Sequence, residues 1–244
     1  MYRKLLPPED SDISKCLHNL IGILLEQNKT TEVENLVWNV VAEASQAPAE
    51  TAPKFEARCS LLGESFYHAG QPVPAEPLCR EWLRSAGARL DPSDEAVQNA
   101  AVCLASLLTD WAWSESEATD RTKVLERARE AERLLREGVA LRTRTLKPES
   151  SRLADTRSRL GNALAAITVL DPALTGEARK ANLDEAERLL LQSQKVLEKG
   201  KAAGSPLHHA ALSNLVKLYT AWPLPDKTAA WKEKLRDFEK RASP

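Results

Sequence analysis

The sequence predicts an all-α protein: a right-handed superhelical solenoid of about five helix-turn-helix repeats, preceded by an N-terminal half-repeat. Three observations carry this. Ala, Leu, Glu, Arg and Lys dominate, whereas only 9 of 244 residues are Gly and aromatic residues reach only 5%, too few for an antiparallel β protein. A leucine recurs at Leu20, Leu62, Leu104, Leu160 and Leu215, at spacings of 42, 42, 56 and 55 residues, and four positions after each stands a bulky apolar residue: Leu24, Phe66, Leu108, Leu164 and Tyr219. A small residue then follows at Val33, Ala75, Ala131 and Ala186, which lie 13, 13, 27 and 26 residues beyond the respective anchors.

The elements follow in order. Residues 1–8 read as the end of a preceding repeat, because Tyr2-Arg-Lys-Leu-Leu before Pro7 and Pro8 has the look of a last helical turn; the chain then starts inside a repeat of a larger protein. The repeats are 9–49, 50–91, a long 92–147, a long 148–203, and 204–241, the last ending in a cap helix through Trp231, Leu235 and Phe238. Pro8, Pro92 and Pro148 each stand twelve residues before an anchor and mark the links between units. The second helices open at Glu32-Val-Glu-Asn-Leu, Pro74-Ala-Glu-Pro-Leu, Glu130-Ala-Glu-Arg-Leu-Leu and Glu185-Ala-Glu-Arg-Leu-Leu. Around Ala131, the residues Val124, Ala128, Leu135 and Val139 keep the three-to-four spacing of a buried stripe. Gly63, Gly161, Ala131 and Ala186 allow the two helices of a hairpin to approach closely.

The long repeats carry 14 and 13 residues more than the 42-residue unit, all between the anchor and the small alanine. Loops are one reading, since Trp111-Ala-Trp-Ser-Glu-Ser-Glu and Asp171-Pro-Ala-Leu-Thr-Gly-Glu contain turn formers. The preferred reading lengthens both antiparallel helices by roughly seven residues, two turns each, which keeps the hairpin in register. Ala165, Ala166, Ile167, Val169 and Leu170 continue the apolar face as this requires, as do Val124 and Leu125, and the two extensions then pack together as a projecting edge.

Leu62-Gly63 with Phe66, Leu160-Gly161 with Leu164, Leu215 with Tyr219, and the two Glu-Ala-Glu-Arg-Leu-Leu stretches resemble the tetratricopeptide repeat (TPR) family, in the 42-residue form found in kinesin light chains. The third and fourth units are also similar to repeats that trail bacterial serine/threonine protein kinases, on phrases such as Glu185-Ala-Glu-Arg-Leu-Leu-Leu and, in the next unit, Leu215-Val-Lys-Leu-Tyr-Thr-Ala-Trp. Ile21, Ala105 and Val216 depart from the family's glycine, and Val33 from its alanine.

A net charge of -1 excludes the basic footprint of a general nucleic-acid binder. No apolar stretch is long enough for a signal peptide or a membrane span, and Cys16, Cys59, Cys79 and Cys103 form no Cys-x-x-Cys pair, which reads as reduced, buried thiols of a cytoplasmic protein. Cys16 with His18, and Cys59 with His68, lack the short paired spacings of a zinc site, and His208-His209 reads as surface residues at a helix N-terminus; no metal or cofactor is expected. Neither a phosphate-binding glycine loop nor a kinase motif set occurs, and no local signature marks a catalytic nucleophile, so the chain reads as a non-enzyme.

The resemblance places the first helix of each unit on a concave groove that holds a protein or peptide. Positions two before and two or five after each anchor then face it. They are His18 in the first unit, Ser60, Glu64 and Tyr67 in the second, and Ser106 in the third. The fourth unit supplies Ser158 and Asn162, the fifth Ser213 and Lys217, with Arg159 and Asn214 reaching in from the side. The expected function is a binding scaffold, part of a larger bacterial signalling protein; the alternative is a ligand- or peptide-responsive module that controls an attached domain such as a kinase. Partner identity and oligomeric state are not encoded in any recognisable motif.

Overall fold

Helix boundaries follow the local chemistry of the chain. The computed structural model describes residues 7, 10–115, 121–199 and 204–242, and among them ten helices and no strand: α1 (Ser11–Glu26), α2 (Thr30–Ser45), α3 (Ala52–His68), α4 (Pro72–Arg89), α5 (Glu95–Ser114), α6 (Arg121–Thr145), α7 (Ser151–Leu170), α8 (Gly176–Leu197), α9 (Pro206–Ala221) and α10 (Pro225–Ala242). Asp10 caps α1 by accepting the Asp12 N–H at 2.8 Å, and Ser205 caps α9 by accepting from His208 N–H. Pro72, Pro206 and Pro225 sit at first helical positions, where no N–H is needed. The short hairpins turn alike: Asn28 and Gly70 each stand eight residues after an anchor with φ of 55° and 68°. Beyond them Lys29 N–H returns to Leu24 O and Gln71 N–H to Phe66 O, both at 2.9 Å, closing the α1 and α3 ends in the left-handed capping motif. The half-repeat expected over residues 1–8 lies outside the described residues, apart from Pro7.

The extra residues of the long units are largely helical. α5 and α7 run ten residues past their anchors, against six in α1, α3 and α9. α6 and α8 begin ten residues before Ala131 and Ala186, where α2 and α4 begin three before Val33 and Ala75. The extension is thus four residues on the first helix and seven on the second, not seven on each. Asp171 stops α7 early: the following proline forces it out of the helical region, to ψ 103°, and its carboxylate accepts the Ala173 N–H at 2.9 Å and Arg129 at 2.6 Å. The expected packing of the extensions is present as a cluster of Ala112, Val124, Ala128, Ala166, Ile167 and Leu170, with Trp113, Leu125 and Leu174 against it, but Val169 is 38% exposed, because it falls on the side of α7 turned away from these neighbours.

These hydrogen bonds hold the Asp171 carboxyl below the usual carboxylate range, the Ala173 N–H first and the Arg129 guanidinium next. A depressed folded-state pKa contributes stability that is present above the unfolded value and lost as pH falls through the folded one. Asp171→Asn should therefore lower the unfolding midpoint at pH 7 and narrow its gap from wild type as pH is taken below about 4; a gap that stays constant down to about pH 2 would contradict this.

The chain divides into two compact units, residues 1–107 and 108–244, with the division inside α5. Within unit 1, first helices meet first helices (α1 on α3) and second helices meet second helices (α2 on α4), beside the hairpin contacts α1–α2 and α3–α4. Within unit 2, α7 packs on α6, α8 and α9, and α9 on α8 and α10. Leu62, Leu104, Leu160 and Leu215 are buried, as are the residues four after every anchor and the small residues Val33, Ala75, Ala131 and Ala186. Leu20 departs from this, at 42% exposed; α1 turns Leu17, Ile21 and Leu24 inward instead, toward α2 and α3, its two described neighbours.

The cysteines are corrected in part. Cys59 and Cys79 are buried and Cys103 is half-buried, but Cys16 is exposed on the outer face of α1. Burial pushes the Cys59 thiol up to about 12, and the Cys79 thiol is raised by its contact with Cys103 Sγ at 3.6 Å and by burial. His208 is half-buried rather than on the surface, edge-on to Phe238 at 5.0 Å and 3.0 Å from the Gln194 amide, and burial lowers its pKa. No helix among the described residues is long and apolar enough to cross a membrane.

Candidate functional site

In unit 2 the groove positions come from α7 and α9, and the last turns of α5 join them. Ser158 and Asn162 are both buried, one turn apart on α7. Asn214 of α9 is also buried and donates from Nδ2 to Ser158 Oγ at 3.1 Å. Lys217, one turn further on, pairs with Asp110 of α5 at 3.2 Å and lies 5.9 Å from the centre of the Trp113 ring. Trp113 Nε1 donates to Asn162 Oδ1 at 2.9 Å. Arg159 is half-buried and held by Asp155 at 2.9–3.0 Å, one turn back on its own helix, and Ser213 is half-buried beside Asn214.

This chain of contacts has a directional consequence. An indole N–H only donates, so the Asn162 atom it meets must be the carbonyl oxygen. The amide NH2 of Asn162 is thereby held in one orientation, and it has no partner among the described residues. An amide held in this way presents a hydrogen-bond donor in a fixed direction, complementary to an acceptor such as a carbonyl oxygen. Lys217 and Asp110 flank it, both partly exposed, and supply one charge of each sign.

In unit 1 the groove positions are less connected. His18 and Glu64 are exposed, and Ser60 and Tyr67 are half-buried. Ser60 Oγ donates to Glu64 Oε1 at 3.3 Å, and the Tyr67 ring lies 5.2 Å from His68. Ser106 is buried and donates to the Val102 carbonyl at 2.6 Å, so its hydroxyl is spent on its own helix. Four of the eleven expected lining residues, Ser106, Ser158, Asn162 and Asn214, are largely buried, at 2–8% exposure.

Asp110 and Trp113 were not foreseen. They lie six and nine residues after Leu104, on the α5 extension, where a rule built on positions up to five beyond the anchor does not reach. The signal was the run Trp111-Ala-Trp-Ser itself, which offered a loop beside the preferred helix extension and is helical through Ser114. Among the described residues, no three His, Cys, Asp or Glu gather where they could hold a metal ion.

No family model and no curated protein matches the sequence. Solved structures do match the fold. A single-residue variant of the nearly identical TPR-like repeats of a putative kinesin light chain from Podosopora anserina aligns with a TM-score of 0.59 at 19% identity, over 93% of this chain and 94% of that one. A second crystal structure of those repeats aligns with a TM-score of 0.57, also at 19% identity, over 94% and 96%. BtubC (BKLC) from P. vanneervenii aligns with a TM-score of 0.55 at 16% identity, over 86% and 74%. The fold is that of a TPR-like repeat solenoid.

Proposed function

We propose that this chain is a non-enzymatic scaffold that binds a protein or peptide on the α5–α7–α9 face of unit 2. The observation that supports it is the Asn162 amide, fixed by Trp113 with its NH2 free to donate, between the Lys217 and Asp110 charges. The segment bound would lie extended along α7, with one carbonyl on Asn162 and its charged groups on Lys217 or Asp110. The similarity of the third and fourth units to repeats trailing bacterial kinases extends the proposal to a cytoplasmic signalling setting.

The test is a pull-down from native lysate, followed by affinity measurement on the purified retained protein. Asn162→Ala should weaken binding about threefold to tenfold, the worth of one interfacial hydrogen bond, and Lys217→Ala should weaken it further at low salt. Unchanged affinity in both variants, with unchanged circular dichroism, rejects this face.

The second reading, a ligand-responsive module, is favoured by the Lys217–Asp110 pair, which ties α9 to α5 across 107 residues of chain. A ligand carboxylate competing for Lys217 would release that tie. Solution scattering with and without the bound peptide separates the two: the scaffold keeps its dimensions, and the module changes them.

A further inference from the structure

A second surface lies in unit 1, on the second helices of its hairpins. Between α2 and α4 runs a cleft of about 720 Å³. The two most exposed large apolar side chains among the described residues, Trp38 at 60% and Val73 at 55%, both line it. An exposed tryptophan beside an exposed valine is unusual on a surface with no partner.

The charges around them are not equivalent. The two arginines of the cleft are taken: Arg80 by Glu76 at 2.8 Å, and Arg84 by Glu81, whose oxygen it meets from Nε at 2.8 Å. Glu34, one helical turn before Trp38, has no ion pair among the described residues. Pro77, inside α4, has no N–H to give the carbonyl of Val73. The unused groups of the cleft are thus an indole face and a carboxylate, and both attract cations. An anion would have to break an existing arginine pair first.

Length argues for a peptide rather than a small amine. The lining residues of α4 run from Val73 to Arg84, roughly 16 Å at the helical rise, about three turns of a partner helix. We infer that the α2–α4 cleft binds a basic, apolar-flanked protein segment, one Lys or Arg of which stacks on Trp38 and pairs with Glu34 while its neighbours cover Val73 and Val41. The inference is independent of the unit 2 face, since it uses other helices and other residues.

The probe is an acetylated, amidated twelve-residue peptide with leucine and lysine at helical spacing, compared with the same peptide carrying glutamate for lysine, at about 150 mM salt. The leucine–lysine peptide should displace the Trp38 indole 1H–15N signal, and the leucine–glutamate peptide should not. Trp38→Ala should weaken the leucine–lysine peptide about tenfold and Glu34→Gln about threefold. Both side chains are exposed, so the variants should keep their circular dichroism, and Asn162→Ala should leave the affinity unchanged. The inference is overturned if the Trp38 signal stays fixed at every peptide concentration. Equal binding of the acidic peptide overturns it too, as does an affinity that follows Asn162→Ala instead of Trp38→Ala.

Discussion

Arg58→Ala should destabilise unit 1 by about 3 kcal/mol, the cost of removing one member of a buried charge pair. The Arg58 side chain is completely buried, yet every part of its fork is used: Nε donates to Ser14 Oγ at 3.1 Å, one terminal nitrogen to Glu43 Oε2 at 3.2 Å and the other to the Asp10 carbonyl at 3.3 Å. Its guanidinium also lies 5.1 Å from the Phe55 ring centre. One side chain on α3 therefore bonds to α1, to its N-terminal cap residue and to α2. Truncation leaves a large void and takes from the buried Ser14 hydroxyl the donor that it meets in Arg58. Glu43 is 31% exposed and turns to water, which keeps the cost below the upper end for buried pairs.

Two companions separate the terms. Arg58→Met refills most of the volume without the donors and should lie between alanine and wild type. Glu43→Gln keeps the hydrogen bond but removes the counter-charge, and should cost about 1 kcal/mol. Urea unfolding, with amide exchange reporting on α1 and α3, measures all three. A cost below about 1 kcal/mol for the alanine variant would mean that Arg58 is replaceable packing and not the tie between these helices.

Arg58 also marks where the sequence stops being legible. It stands four residues before Leu62, and the equivalent Ala100, Thr156 and Ala211 are buried too, with Cys16 of the first unit the exception, so the register favours the core. Its charge makes it read as outward, because its partners come from α1 and α2 and are 15 to 48 residues away in sequence. What the repeat pattern does reveal is whatever depends on period: the leucine anchors, the bulky residues after them, the small residues opposite, and the hairpin order. Leu20 fails because the pattern cannot say whether both sides of a helix are covered. The groove rule leaves the burial of Ser158 and Asn214 unread for a related reason, since helical position sets a direction but not the distance to the next helix. Asp110 and Trp113 were hidden by the extension, which moves functional positions outside the 42-residue template. The helical character of the extensions was readable from Ile167 and Leu170, while their shorter first arm and unequal division needed the Asp171 stop.

The glycines show the same physics at its sharpest. A Cβ placed on Gly161 would stand 2.7 Å from Leu190 Cγ and 3.1 Å from the Ala186 carbonyl oxygen. Leu190 can move its side chain, but the carbonyl belongs to the α8 backbone and cannot yield without parting the hairpin. Gly161→Ala gains about 1 kcal/mol of helix propensity and loses about 1–3 kcal/mol to overpacking, a net loss that should appear as a lower unfolding midpoint. Gly161→Leu should prevent α7 and α8 from docking at all. At Gly63 the near atom is Cys79 Sγ at 2.9 Å, with the nearest backbone atom at 3.5 Å, so Gly63→Ala should cost less. Gly22 and Gly87 meet nothing within 4 Å, and alanine at either should stabilise by about 0.5–1 kcal/mol. The sign of one substitution thus reverses between helices of the same chain according to what lies opposite. Urea midpoints for the four alanine variants test the order; a stabilising Gly161→Ala would show that α7 and α8 do not approach closely at this residue.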